Sequence, residues 1–273
     1  MAASGGFDAK SWGEEFRGHK VVLTGACGVL GRWIADAFAK VGARLCLSDR
    51  DDSGLRKLAD GLGIASNGGL THHTELTEAA SIDALVNAVA TTWGAPDIVV
   101  NNAGVYPSGF LIDIDAAEWD RIFGVNLRAP FLISRGFAKQ MIAVQQAGSI
   151  INISSGAARK MRRTVAPYCV SKTALDRLTK GFALELAEFG IRVNAVEPGF
   201  APGSTASPLT PAHVEATLGQ IPLGRGTTQG DVANAILYLC SAKAGYVTGA
   251  TLSVDGGNSI GSLAVYQDKK RSG

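Results

Sequence analysis

The chain has 273 residues, 46% of them hydrophobic and 18% charged, with 34 glycines; this composition supplies a buried core and excludes disorder over most of the length. Its 26 basic and 24 acidic residues leave a net charge of +2, too even for a nucleic-acid footprint spread over the surface. Four scattered cysteines (Cys27, Cys46, Cys169, Cys240) without C-x-x-C pairing, no apolar leader and no span-length apolar stretch lead us to expect free thiols in a cytoplasmic protein with no membrane partner.

From residue 20 to about 254, apolar runs of strand length alternate with amphipathic stretches of helix length, the pattern of a parallel sheet covered by helices on both faces. Strands are expected at 21–24, 44–48, 69–74, 98–101, 149–154, 192–196 and 251–254. Helices are expected near 29–40, 52–62, 78–92, 116–145, 166–188 and 229–241, each long enough for a crossover. These elements make one α/β, doubly wound, Rossmann-like domain over 19–257, preceded by an N-terminal extension (1–18) and followed by a tail (258–273). Residues 200–226, rich in Pro, Gly, Ser and Thr with one short helical stretch after Pro211, suit a lid.

The first strand runs into a glycine-rich turn and then an amphipathic helix. In that order, Gly25, Gly28 and Gly31 permit a tight turn, close approach of backbone to a pyrophosphate, and close helix–strand packing. Cys27 and Leu30 of the same turn are assigned to the cofactor with them. The second strand ends in Asp49, where the fold places an adenosine ribose. A carboxylate there accepts from both ribose hydroxyls and repels a 2′-phosphate, favouring NAD over NADP; the neighbouring Arg50 argues the other way. The structural alternative for Asp49 is a helix N-cap.

Tyr168 and Lys172 lie four residues apart at the start of a long helix, hence on one face. A phenol with a free pKa of about 10 is a poor base at neutral pH, and an adjacent ammonium favours the phenolate. Ser155 ends the strand over 149–154, at the sheet edge where doubly wound folds bind ligands. Asn101, Asn102, Ala103 and Gly104 begin the loop after the preceding strand and can support a cofactor pocket through amide hydrogen bonds, or form a simple turn.

These segments, T-G-x-x-G-x-x-G at 24–31, N-N-A-G at 101–104, Ser155, Y-x-x-x-K at 168–172 and P-G at 198–199, resemble the single-domain branch of the short-chain dehydrogenase/reductase family over nearly the whole chain. The resemblance implies seven parallel strands, a homotetramer, and an alcohol–carbonyl interconversion with NAD(P). It gives Tyr168 the acid/base role and Ser155 the orientation of the substrate oxygen. Lys172 would bind the nicotinamide ribose and tune the tyrosine, and Asn126 would hold a proton-relay water. It also places Pro198 and Gly199 beside the nicotinamide. Three positions depart from the family pattern. The second glycine of the turn comes one residue early, with Val29 in its usual place. Gly203, followed by Ser204 and Thr205, replaces the threonine that meets the carboxamide, and Ser204 is the substitute assigned here. Glu75 and Leu76 replace an Asp and an apolar residue at the adenine.

No metal is expected, because His19, His72, His73 and His213 show no ligand spacing. Arg159, Lys160, Arg162 and Arg163 lie between Ser155 and Tyr168 and either favour an anionic substrate or form a solvated face or subunit contact. Arg159, Tyr106 and Phe200 are the substrate candidates. Phe110, Leu209, Leu218 and Ile221 fit an apolar pocket, whereas Ser204, Thr205, Ser207 and Thr210 fit a sugar or polyol. Cys169 and Phe182 are placed in helix packing between subunits. The competing functions are an NADPH-preferring ketone reductase and a silent nucleotide-binding sensor or scaffold.

Overall fold

Val21, Val22 and Leu23 are fully buried and turn alternately to opposite sides of a sheet, Val21 and Leu23 into one apolar core and Val22 into another. The computed structural model describes residues 6–202, 209–261 and 263. Seven parallel strands occur: β1 (Lys20–Thr24), β2 (Arg44–Asp49), β3 (Leu70–His73), β4 (Ile98–Asn101), β5 (Gly148–Ile153), β6 (Ile191–Pro198) and β7 (Thr251–Val254). Their order is β3-β2-β1-β4-β5-β6-β7, so the winding reverses where β1 meets β4, with Val21 opposite Ile98 and Leu23 opposite Val100. A ligand crevice opens beyond the carboxyl ends of strands at such a reversal.

Helices α1 (Val29–Lys40), α2 (Asp52–Leu62) and α8 (Gln229–Cys240) cover one face, burying Ile34, Phe38, Leu55, Val232 and Ile236. On the other face α3 (Ala79–Trp93), α5 (Ala129–Ala143) and α6 (Ala166–Leu186) bury Leu85, Val89, Ile133, Phe137 and Ala183. Each fully buried Leu, Ile or Phe contributes roughly 1.5–3 kcal/mol. α4 (Ala116–Phe123) precedes α5, and α7 (Pro211–Leu218) lies in the segment after β6. Part of the N-terminal extension is docked on this body: Phe16 is buried edge-on against Phe38, and Trp12 donates to Asn234 Oδ1 at 3.1 Å.

The single helix expected over 116–145 is divided. A π-helical turn, Gly124–Arg128, separates α4 from α5 and carries Asn126. Two features break the regular ladder: Pro130 has no N–H to donate back to residue 126, and the Asn126 side chain is engaged outside the helix.

Candidate active site

At the winding reversal the ends of β1 and β4 are stitched together. Gly25 has φ +64°, and a Cβ there would lie 2.6 Å from Ala103 Cα, so only glycine allows this approach. Asn102 Nδ2 donates to Thr24 O (3.0 Å) and Gly25 O (2.9 Å), and Thr24 Oγ1 accepts from the amides of Asn102 and Ala103. The N-N-A-G segment is therefore a brace for the glycine turn. A Cβ on Gly31 would fall 2.1 Å from Gly25 O, which seats α1 directly on the turn. Gly28 stands at the N-cap of α1, where no side chain caps the helix and a Cβ would meet only Gly25 O at 3.5 Å. A helix N-terminus without a side-chain cap is an anion cradle, and it fits a pyrophosphate.

Asp49 lies beside that cradle. Its Oδ2 accepts from Cys27 N at 2.9 Å and its Oδ1 from Asp51 N at 3.1 Å, while Asp51 is the residue that caps α2 through Gly54 N. Burial, followed by the field of Asp49, pushes the Cys27 thiol up to about 12. Leu30 packs on the α1 side of the core, and Leu76 on the α3–α5 side. Glu75 Oε1 accepts from Thr77 N (3.1 Å) and Thr77 Oγ1 (2.9 Å), with Arg50 close enough to help hold it ionised.

Further along the same edge the structure brings Ser155, Tyr168, Lys172 and Asn126 together. Ser155, two residues past the end of β5, accepts from Ala157 N (3.2 Å), and its hydroxyl lies close enough to the Tyr168 phenol to favour the phenolate. Lys172 is buried, with Nζ donating to Ile153 O at 2.7 Å and lying 5.8 Å from the centre of the Tyr168 ring. Asn126 is fully buried: Oδ1 accepts from Val105 N (2.8 Å), and Nδ2 donates to Val105 O (3.0 Å) and Ser171 Oγ (3.1 Å). Gly104 packs in front, where a Cβ would stand 3.5 Å from Asn126 Oδ1 and 3.6 Å from Lys172 Nζ.

The expected favouring of the phenolate by the Lys172 ammonium is set against a strong effect of burial on both groups. Burial pushes Tyr168 up to about 12, against the opposing pull of the Ser155 hydrogen bond and the Arg162 charge. Burial also pushes Lys172 down to about 8, opposed by Asp176. Lys172 is buried and Tyr168 largely so, and desolvation is the largest influence on each.

The rim residues separate into two groups. Tyr106 presents its ring edge to Tyr168 at 4.5 Å between centroids, and Gly109 N donates to Thr164 O at 2.7 Å, joining the loops after β4 and β5. Pro198 ends β6; a Cβ on Gly199 would lie 2.3 Å from Thr227 Oγ1, and Phe200 O accepts from Thr227 N. Arg159, by contrast, turns away from the substrate side: its guanidinium pairs with buried Glu197 and with Ser253 Oγ. Glu197 was open to sequence reading as a lone acid in an apolar strand. Cys169 is not on a partner-facing surface but buried against Ala157 and Val165, and Ile221 is buried under Gly256. Ser204, Thr205 and Ser207 lie outside the described residues.

Among the described residues no group of three or more His, Cys, Asp or Glu side chains is placed to hold a metal ion, and no helix is long and apolar enough to cross a membrane. A doubly wound sheet with a phosphate cradle at its reversal and a Tyr–Lys–Ser–Asn group on the same edge defines a dinucleotide-binding oxidoreductase scaffold. A family model described as enoyl-(acyl carrier protein) reductase matches residues 25–259. Galactitol 2-dehydrogenase of Agrobacterium fabrum is 33% identical over 248 residues, covering 87% of this chain and 96% of that protein. A short-chain type dehydrogenase/reductase from Mycobacterium marinum superposes with a TM-score of 0.80 at 30% identity, covering 89% of this chain and 96% of the other. A gluconate 5-dehydrogenase from Burkholderia cenocepacia, solved with NADP and tartrate, gives a TM-score of 0.83 at 30% identity over 91% and 98% of the two chains. The chain belongs to the short-chain dehydrogenase/reductase family.

Proposed function

We propose that this protein interconverts an alcohol and a carbonyl with a nicotinamide dinucleotide, using NAD in preference to NADP. The observation that carries the reading is the convergence of Ser155, Tyr168, Lys172 and Asn126 beside the anion cradle of Gly25–Gly31. When bound, the cofactor supplies or accepts the hydride. Tyr168, which burial favours in its protonated form, is placed as the acid for a carbonyl oxygen, and Ser155 stands beside it to donate a second hydrogen bond. Lys172 spends one of its three donors on Ile153 O and keeps two for ribose hydroxyls. Both Nδ2 protons of Asn126 are spent, so a water it holds would be bound through an acceptor, the second lone pair of Oδ1 or the main-chain carbonyl. Asp49 supports the NAD preference, because its carboxylate occupies the ribose end of the cradle.

The test is a panel of alcohols, polyols, sugars and hydroxy acids with NAD and with NADP, followed by the absorbance of the reduced nicotinamide, run beside Tyr168→Phe. Turnover with NAD that is lost in the Tyr168→Phe variant is expected. Cofactor binding without turnover by the wild type, across the panel, would establish a silent sensor instead.

The substrate we favour carries an anionic group. Arg159 is neutralised by Glu197 and the Arg163 guanidinium lies over the Phe110 ring, but Arg162 is exposed and its charge reaches the Tyr168 phenol. The gluconate 5-dehydrogenase solved with tartrate is compatible with such a substrate.

Assembly with further copies of this chain is the other part of the proposal. An open groove of ≈ 930 Å³ between α4, α5 and α6 is lined by Phe123, Leu127, Ala174, Leu178 and the partly exposed Phe131, and partly exposed Trp119 stacks on Phe123 beside it. A second copy seated there would form the helix-packed contact that the homotetramer requires. Light scattering that returns a monomer would remove this part.

A further inference from the structure

Three buried oxygens with no hydrogen-bond partner, Ser154 Oγ, Asp176 Oδ1 and Glu197 Oε1, belong to the sheet face under α6 and to α6 itself. Strand register explains the gathering. Ser154 follows the Ile153–Val196 pair and donates its amide to Val196 O, which puts it beside Glu197; Glu197 in turn is matched with Ser253 on β7. Matched positions share a sheet face, so Ser154, Glu197 and Ser253 form a polar row. Asn152, two residues before Ser154, reaches Thr179 Oγ1 on α6 at 2.9 Å, which identifies this face as the one under α6. On α6, Asp176 stands one turn beyond Lys172, which itself stands one turn beyond Tyr168.

We propose that Asp176 is a positioning residue: its carboxylate is the counter-charge that keeps the Lys172 ammonium charged at the floor of the site.

The other charges facing the pair are already committed. Glu197 of β6 is bonded by Arg159, which comes from the turn after β5, and by Ser253 Oγ at 2.7 Å. Asp255, after β7, accepts from the amides of Gly257 (2.9 Å) and Ser259 (2.8 Å). Lys180, further along α6, donates to Gly249 O. Glu197 thus has its cation in Arg159, whereas Asp176, paired with no cation among the described residues, stands one turn from Lys172 on α6 with Oδ1 buried and unpartnered. Burial raises Asp176, and Ser154, Lys172, Arg159 and Lys180 pull it back toward the ionised form; in return Asp176 is what opposes the lowering of Lys172 by burial.

The inference deepens the reading above, which supplies what Lys172 is used for. Its test is made on the unliganded chain without turnover, so either can fail alone. Uniform ε-13C-lysine labelling lets the buried Lys172 resonance be assigned by its loss in Lys172→Met and titrated by NMR. In Asp176→Asn the Lys172 midpoint should fall by about one pH unit, and Asp176→Glu should restore it. The reciprocal arm uses γ-13C-aspartate: in Lys172→Met the Asp176 midpoint should rise, and this arm stands even if the Asp176 variants fail to fold. A Lys172 midpoint unmoved in folded Asp176→Asn, or an Asp176 midpoint unmoved in Lys172→Met, overturns the proposal.

Discussion

Asn126 and Val105 are bonded twice, amide to amide: Val105 N donates to Asn126 Oδ1 at 2.8 Å, and Asn126 Nδ2 donates to Val105 O at 3.0 Å. The pair ties the π-helical turn to the loop that carries Ala103, Gly104 and Tyr106. Asn126→Ala would strand both main-chain groups of Val105, a loss of about 1–3 kcal/mol. We expect that loss in urea denaturation, together with a large fall in kcat. Asn126→Asp should recover only part of either, since a carboxylate can accept from Val105 N but cannot donate to Val105 O. An alanine variant with wild-type stability would show that the double bond holds nothing.

The buried Lys172 makes a stability prediction with a definite sign. Its folded pKa, about 8, is below the ordinary lysine value of about 10.5, so between those values the unfolded chain binds the proton that the folded chain has released. Stability from this group therefore rises as pH goes from 8 to 10.5, and below pH 8 the folded state carries the cost of a desolvated ammonium. Lys172→Met should be inactive yet more stable than wild type at pH 7, by on the order of 2 kcal/mol. The gap should narrow as the pH is raised to 10. Matched denaturation curves at pH 7 and pH 10 check this, and an equal difference at both would remove the desolvation argument.

How much of this was legible in the sequence follows from what each residue answers to. Every expected strand is present to within a few residues, because strand positions are set by apolar runs that must be buried on both faces, and such runs are local. The clustering of Ser155, Tyr168 and Lys172 was also legible, from one strand end and one helical turn. The break at residue 126 is carried in the sequence only by Pro130, and the continuous amphipathic pattern over 116–145 masks it. Arg159 was misplaced for a different reason: its partner Glu197 is 38 residues away, and only the adjacency of β5 and β6 brings it close. The upward push on the phenol is not legible in the sequence, because the burial that causes it is a property of the folded chain.

Asp49 holds the turn through Cys27 N, and its carboxylate is the one proposed above to meet the adenosine ribose. Asp49→Ala should weaken NAD binding at least about tenfold, and NADP binding less, because the repulsion of a 2′-phosphate goes with the carboxylate. A thiol readout is independent of the cofactor. Asp49 is the second contribution, after burial, to the raised Cys27 pKa, so its removal should lower that pKa and speed alkylation of Cys27 at pH 9. Faster labelling with unchanged NAD discrimination would place Asp49 in the turn but not in cofactor choice. Unchanged labelling would contradict the contact itself.

Arg162 decides whether the substrate is anionic. Of the cations between Ser155 and Tyr168, Arg159 is bound to Glu197 and Arg163 covers Phe110, whereas the field of Arg162 already acts on the phenol that must meet the substrate oxygen. A carboxylate or sulfonate on a substrate bound at Tyr168 would gain from that cation before and during reaction, which lowers KM more than it raises kcat. Arg162→Ala should therefore raise KM for hydroxy acids about tenfold while leaving neutral polyols within about twofold, and Arg162→Glu should widen the gap. Loss of the cation also removes one of the influences that lower the Tyr168 pKa, so the alkaline rise of oxidation should move to higher pH for every substrate. Equal losses on acids and polyols in both variants would assign Arg162 to the phenol alone and leave the charge of the substrate unselected.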